Sequence, residues 1–172
     1  MTTSNIPLPR SPLRLRMSAH PGRGTLDGGW WPQSRDLTTE LTDLATHFPP
    51  ASGRIVRALF SPPDWDSAPR RLHVGQGQVK VGSFPHDDTH IMVLTTSDRI
   101  VLRVLVVPPA MTGDQGDEAL LAASSEGYTH SATSLLDEVG ATPDVDPRDH
   151  WTDEGGSWQA GDLVSAPGPT RN

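Results

Sequence analysis

The 172-residue chain predicts an α+β fold: a curved, mostly antiparallel sheet of about seven strands, one main helix after strand 2, and short C-terminal helices. Three observations carry that expectation. Several short segments alternate apolar and polar residues or are apolar throughout at strand length. Residues 36–48 alone show a strong helical period, and proline and glycine punctuate the intervals between segments. Curvature leaves partial closure into a barrel open, with the helix covering one open side.

Residues 1–12 hold three prolines among small polar residues and are expected to form a disordered arm. Next, Leu13, Leu15 and Met17 face one way and Arg14, Arg16 and Ser18 the other, which is the period of a half-buried strand. His20-Pro21-Gly22-Arg23-Gly24 is a turn, and residues 25–31 return as a second strand. Within it, Gly28 and Gly29 mark a bulge or a close approach of two backbones. The adjacent Trp30 and Trp31 are large enough to belong at or near the core.

In the helix of residues 36–48, Leu37, Leu41, Leu44 and Phe48 make one apolar stripe. Ser34 or Asp36 can cap its start, Asp36 and Glu40 complement the positive end of its dipole, and Pro49-Pro50 stops it. A strand follows over 54–61, then a proline-rich loop over 62–69. Residues 70–74 and 78–84 form a hairpin around Gly75-Gln76-Gly77, and 90–95 and 99–107 a second one turning near Ser97-Asp98. The last of these strands is apolar on both faces except for Arg103, which predicts a covered, interior strand and a paired Arg103. Residues 117–125 and 131–139 are short helical candidates, the second with Ser131 or Thr133 as its cap. The organisation expected is an arm over 1–12, one domain over 13–139, and an acidic, largely irregular tail over 140–172 that either docks on the body through Trp151 and Trp158 or is disordered.

Composition excludes several classes. With no cysteine there are no disulfides, thiolate metal sites or cysteine nucleophiles, which fits a reducing cytoplasm. The apolar run 100–107 is far too short for a bilayer and no signal-peptide core is visible, so a cytoplasmic protein without a membrane partner is expected. Residues 1–111 carry 12 Lys and Arg against 9 Asp and Glu, whereas residues 112–172 carry 2 against 12. That acidic end argues against nucleic acid as a partner. It serves solubility or folds back on the mildly basic body. Lys80 is the only lysine among the 14 Lys and Arg residues.

Three constellations could carry chemistry. His86-Asp87-Asp88-Thr89-His90 groups metal-type ligands, but neighbours in an extended connector point apart, and a polar turn between strands is the favoured reading. Trp30, Trp31, Arg35, Trp65, Arg70 and Arg71 could clamp a planar or anionic ligand by stacking and bidentate hydrogen bonds. The competing reading has the tryptophans in the core and Arg35 or Arg70 paired with Asp36, Asp64 or Asp66. Asp27 beside Gly28-Gly29 has the look of a catalytic loop, but Asp-Gly is ordinary turn chemistry. There is no Gly-x-Ser-x-Gly elbow, Walker A loop or dinucleotide fingerprint.

Residues 24–37 (GTLDGGWWPQSRDL), with Leu13-Arg14-Leu15, Trp65-Asp66, Ala68-Pro69-Arg70-Arg71-Leu72, Gly82-Ser83-Phe84 and Leu105-Val106-Val107-Pro108-Pro109, resemble the bacterial domain of unknown function numbered 5994. The resemblance covers residues 13–126. It implies domain limits and an origin in high-GC Gram-positive bacteria, and it brings no catalytic residue or cofactor.

The reading is therefore a non-enzymatic domain binding a protein partner or small anionic ligand through Trp31, Arg35, Trp65, Arg70 and Arg71, with no catalytic residue, metal or cofactor. The alternatives are an enzyme of unrecognised type using Asp27, His86 or Asp87 as acid or base, and a structural or oligomerising module.

Overall fold

Alternating apolar positions pair into seven strands in the computed structural model, which describes residues 10–84 and 89–141. They are β1 (Leu15–Met17), β2 (Gly28–Trp30), β3 (Ile55–Phe60), β4 (Arg71–Val74), β5 (Gly77–Ser83), β6 (Ile91–Thr96) and β7 (Val101–Val106). The helices are α1 (Leu37–His47), α2 (Gly113–Ser124) and α3 (Ala132–Ala141). The strands form one sheet in the order β1-β2-β7-β6-β3-β5-β4. It is open, with β1 and β4 as edges, so the barrel does not form. It is also mixed: β2 runs parallel to β7 and β3 to β5, while the other pairs are antiparallel. Both expected hairpins are present. The β4–β5 turn is shorter than expected, pairing Val74 with Gly77 across Gly75-Gln76. Gly75 takes φ 58°, which the first central position of a type II′ turn requires.

Strand alternation sends adjacent residues to opposite faces, and each face has its own core. On one face α1 inserts Leu37, Leu41 and Leu44, none with exposed surface, against Trp30, Met92, Leu94, Leu102 and Val104. On the other, α2 and α3 pack Ala119, Leu120, Ala123, Leu135 and Leu136 against Trp31, Ile91, Leu105 and Val107. Neighbouring Trp30 and Trp31 thus fill different cores. β7 lies inside the sheet as predicted, yet Arg103 is exposed, because α2 and α3 cover only part of that face. The guanidinium therefore does not incur the desolvation cost that the sequence pattern suggested.

Close approach, not a bulge, accounts for the two glycines. A Cβ on Gly28 would lie 2.5 Å from the Arg16 carbonyl, and one on Gly29 would press on Leu120 and Ala123 of α2. Helix α2 begins before the expected residue 117, since Thr112 and Gln115 close a reciprocal capping box ahead of it. For α3, the Ser131 hydroxyl accepts from the Ser134 amide at 3.1 Å.

Asp36, and not Ser34, caps α1. Its carboxylate accepts from the Thr38 amide at 3.1 Å and the Thr39 hydroxyl at 2.7 Å. The Thr39 hydroxyl, followed by backbone amides, holds this carboxyl below its ordinary pKa. A depressed carboxyl contributes stability above its unfolded pKa and loses it as pH falls through the folded value. Asp36→Ala is expected to cost about 1 kcal/mol at neutral pH. In urea titrations, the gap between variant and parent should close on acidification below the carboxylate range.

Candidate functional site

The tryptophan–arginine clamp does not assemble. Trp31 is 6% exposed and Trp65 7%, one in each core, and Trp65 packs on Trp30 with ring centroids 5.5 Å apart. One face of Trp31 carries the Arg14 guanidinium, 3.6 Å from the ring centroid. Partial burial lowers the Arg14 pKa, against the opposing pull of Glu40 and Asp117. The same ring abuts α2 at Gly116, where a Cβ would lie 2.2 Å from it, and the indole N–H donates to the Pro108 carbonyl at 3.2 Å. Arg35 is engaged as well: Nε donates to Asp66 at 2.9 Å and Nη2 to the Pro63 carbonyl at 2.8 Å. The two tryptophans pack the cores, and Arg35 ties its loop to the 63–66 segment at the surface.

Asp27 is likewise structural. It is 5% exposed, and its two oxygens accept from the Gly22 amide at 2.6 Å and the Arg103 amide at 2.8 Å, which ties the 20–24 turn to β7. Each oxygen thus holds a backbone amide, and the turn gives to Asp27 an amide that a phosphate would need. His86, Asp87 and Asp88 lie outside the described residues, as do Trp151 and Trp158. Among the described residues, no group of three or more ligand-type side chains could hold a metal ion.

Sequence reasoning missed the pairing of Asp64 with His90. The Asp64 carboxylate accepts from the His90 backbone amide at 2.8 Å, and its Oδ1 lies 3.0 Å from His90 Nδ1. That second contact is not aligned as a hydrogen bond, and Oδ1 has no hydrogen-bond partner among the described residues. His90 has φ 64°, a left-handed conformation uncommon outside glycine. The hollow between Asp64, His90, Arg35 and Pro108 measures about 20 Å³, room for one water and no substrate. The pair therefore serves to pin the entry to β6.

Arg70 and Arg71 do come together, with a cation the sequence did not connect to them. The two arginines and Lys80 line a cleft of about 490 Å³, whose apolar walls include Phe60 and Val81. Register places Arg71 opposite Lys80 across β4–β5, and Lys80 opposite Arg57 across β5–β3. Three cations thus stand in one row on adjacent strands, all exposed. None of Arg57, Arg70, Arg71 and Lys80 forms an ion pair with a described carboxylate. No strand of the sheet carries an acidic residue. A second hollow, of about 220 Å³, offers a single cation, Arg54.

Residues 14–123 match a family of unknown function, DUF5994. The chain belongs to that family. The part that matches DUF5994 runs from β1 into α2, so it contains the cation row, the paired tryptophans and Gly116, and α3 lies beyond it. No curated protein and no solved structure matches this DUF5994 member. Among its described residues no helix is long and apolar enough to cross a membrane.

Proposed function

We propose that this DUF5994 chain is a cytoplasmic binding protein, not an enzyme. Its ligand is a small anion carrying phosphate or clustered carboxylates, taken up in the cleft of Arg70, Arg71 and Lys80. Neither nucleic acid nor a membrane is its partner.

The observation that carries this reading is the row Arg71–Lys80–Arg57, which has no ion-pair partner among the described carboxylates. Like charges directly opposite on neighbouring strands destabilise a sheet. A bound anion converts that repulsion into charge-assisted hydrogen bonds, with the arginines offering bidentate geometry.

Calorimetric titration with inorganic pyrophosphate and with citrate tests the proposal. At least one is expected to bind, with affinity that falls as salt rises. Lys80→Thr should weaken binding about tenfold or more, the effect of losing one charged contact. The same variant should raise the stability of the unliganded protein by about 0.5 kcal/mol by removing both cross-strand repulsions. Silence toward both anions, or equal binding by Lys80→Thr, would refute the reading.

A further inference from the structure

The face of the sheet that α2 and α3 shield is only partly covered by the described residues. Described contacts place α2 over β1, β2 and β7, and α1 lies on the opposite face. Beyond α2 the register draws one unbroken row across five strands: Arg71, Lys80, Arg57, Thr95 and Val101. Val101 is 57% exposed, the largest value among the described large apolar residues. In the adjoining row Leu59 stands opposite Val93, both half-buried. Among the described residues the uncovered area is thus cationic toward β5 and β4 and carries Leu59 and Val101 beside Val93 toward β6 and β7, where exposed Arg103 stands opposite Val93.

We infer that this face docks an amphipathic acidic helix from a partner protein. Such a helix would lay its apolar stripe on Leu59, Val93 and Val101 and set its carboxylates against Arg57, Lys80 and Arg71. It would extend the layer that α2 begins, since a sheet flanked by helices is stable when both faces are covered. Charge complementarity selects the acidic partner: Arg57, Lys80 and Arg71 form no ion pair with a described carboxylate, and no strand brings one to this face. Single-stranded nucleic acid fits less well, because the strand aromatics Trp30 and Phe60 pack in the core on the α1 side, and Trp31, Phe84 and Tyr128 on the other face are packed against the α2–α3 core. The inference rests in part on the same cations as the anion cleft, but Thr95 and Val101 lie outside the cleft lining.

The test is fluorescence anisotropy of the full chain with a labelled helix-forming peptide bearing a leucine stripe flanked by glutamates. A lysine-flanked peptide of the same stripe and an oligo(dT) strand are the comparisons. The glutamate peptide is expected to bind, to weaken with salt, and to lose about tenfold or more in affinity with Val101→Glu and Thr95→Glu. Both substitutions are expected to leave pyrophosphate titration unchanged, whereas Arg70→Ala weakens pyrophosphate and spares the peptide. Circular dichroism and urea midpoints confirm that the exposed-site variants fold. Absence of glutamate-peptide binding, indifference to Val101→Glu and Thr95→Glu, or tighter binding of the lysine peptide or of oligo(dT) would overturn the inference. The pyrophosphate result decides the cleft separately.

Discussion

Trp31→Ala is expected to destabilise the protein by about 3–5 kcal/mol, the range for removing a buried aromatic ring, while leaving pyrophosphate affinity unchanged. The ring fills the space between Arg14 and α2, and α2 has been cut back to glycine at residue 116 to admit it. Removing it leaves a void that the helix cannot collapse into, because the capping box at Thr112 and Gln115 fixes where α2 starts. It also deprives the Pro108 carbonyl of the indole N–H. Urea unfolding and calorimetric titration on one preparation separate the two readouts. A small change in urea midpoint together with lost anion binding would restore the aromatic clamp suggested by residue type alone.

Glu40→Ala is expected to cost about 3 kcal/mol, the loss for removing one partner of a buried hydrogen-bonded charge. The Glu40 carboxylate is 2% exposed and accepts from the Gln33 amide at 3.0 Å and the Ser34 hydroxyl at 2.7 Å. It also meets Arg10 Nη2 at 2.9 Å. It therefore fastens the chain entering α1 to the helix itself, close to the positive end of the dipole. Glu40→Gln keeps an acceptor for the Gln33 amide and should cost less than alanine. Equal losses for the two substitutions in urea titration would show that side-chain volume, not hydrogen bonding, matters at this position.

Read as sequence, Glu40 was only an acid favourably placed near a helix start. Its burial depends on the residues 33–34 turning back over α1 and on Arg10 arriving from the N-terminal side, neither of which has a local signature. Asp27 shows the same limit. An Asp-Gly pair suggests a turn, but its acceptance of the Arg103 amide joins positions 76 residues apart. The Asp64–His90 contact joins positions 26 apart through a loop whose proline content announced only irregular backbone.

Local periodicity and punctuation determined a good deal. The stripe Leu37, Leu41, Leu44 specified α1, the doubled proline its end, alternation the strands, and Gly75 and the Ser97-Asp98 region the hairpin turns, because steric limits on φ and ψ act within a few residues. Family membership was also legible, in the tryptophan segment and the scattered motifs around it. Tertiary structure decided what depends on register and strand order: the parallel pairings, the division of Trp30 and Trp31 between two cores, the exposure of Arg103, and the meeting of Arg57, Arg71 and Lys80. Strand pairing sums weak preferences over distant segments, and a slip of one residue turns every side chain to the other face. Only the folded register could therefore line up those three cations.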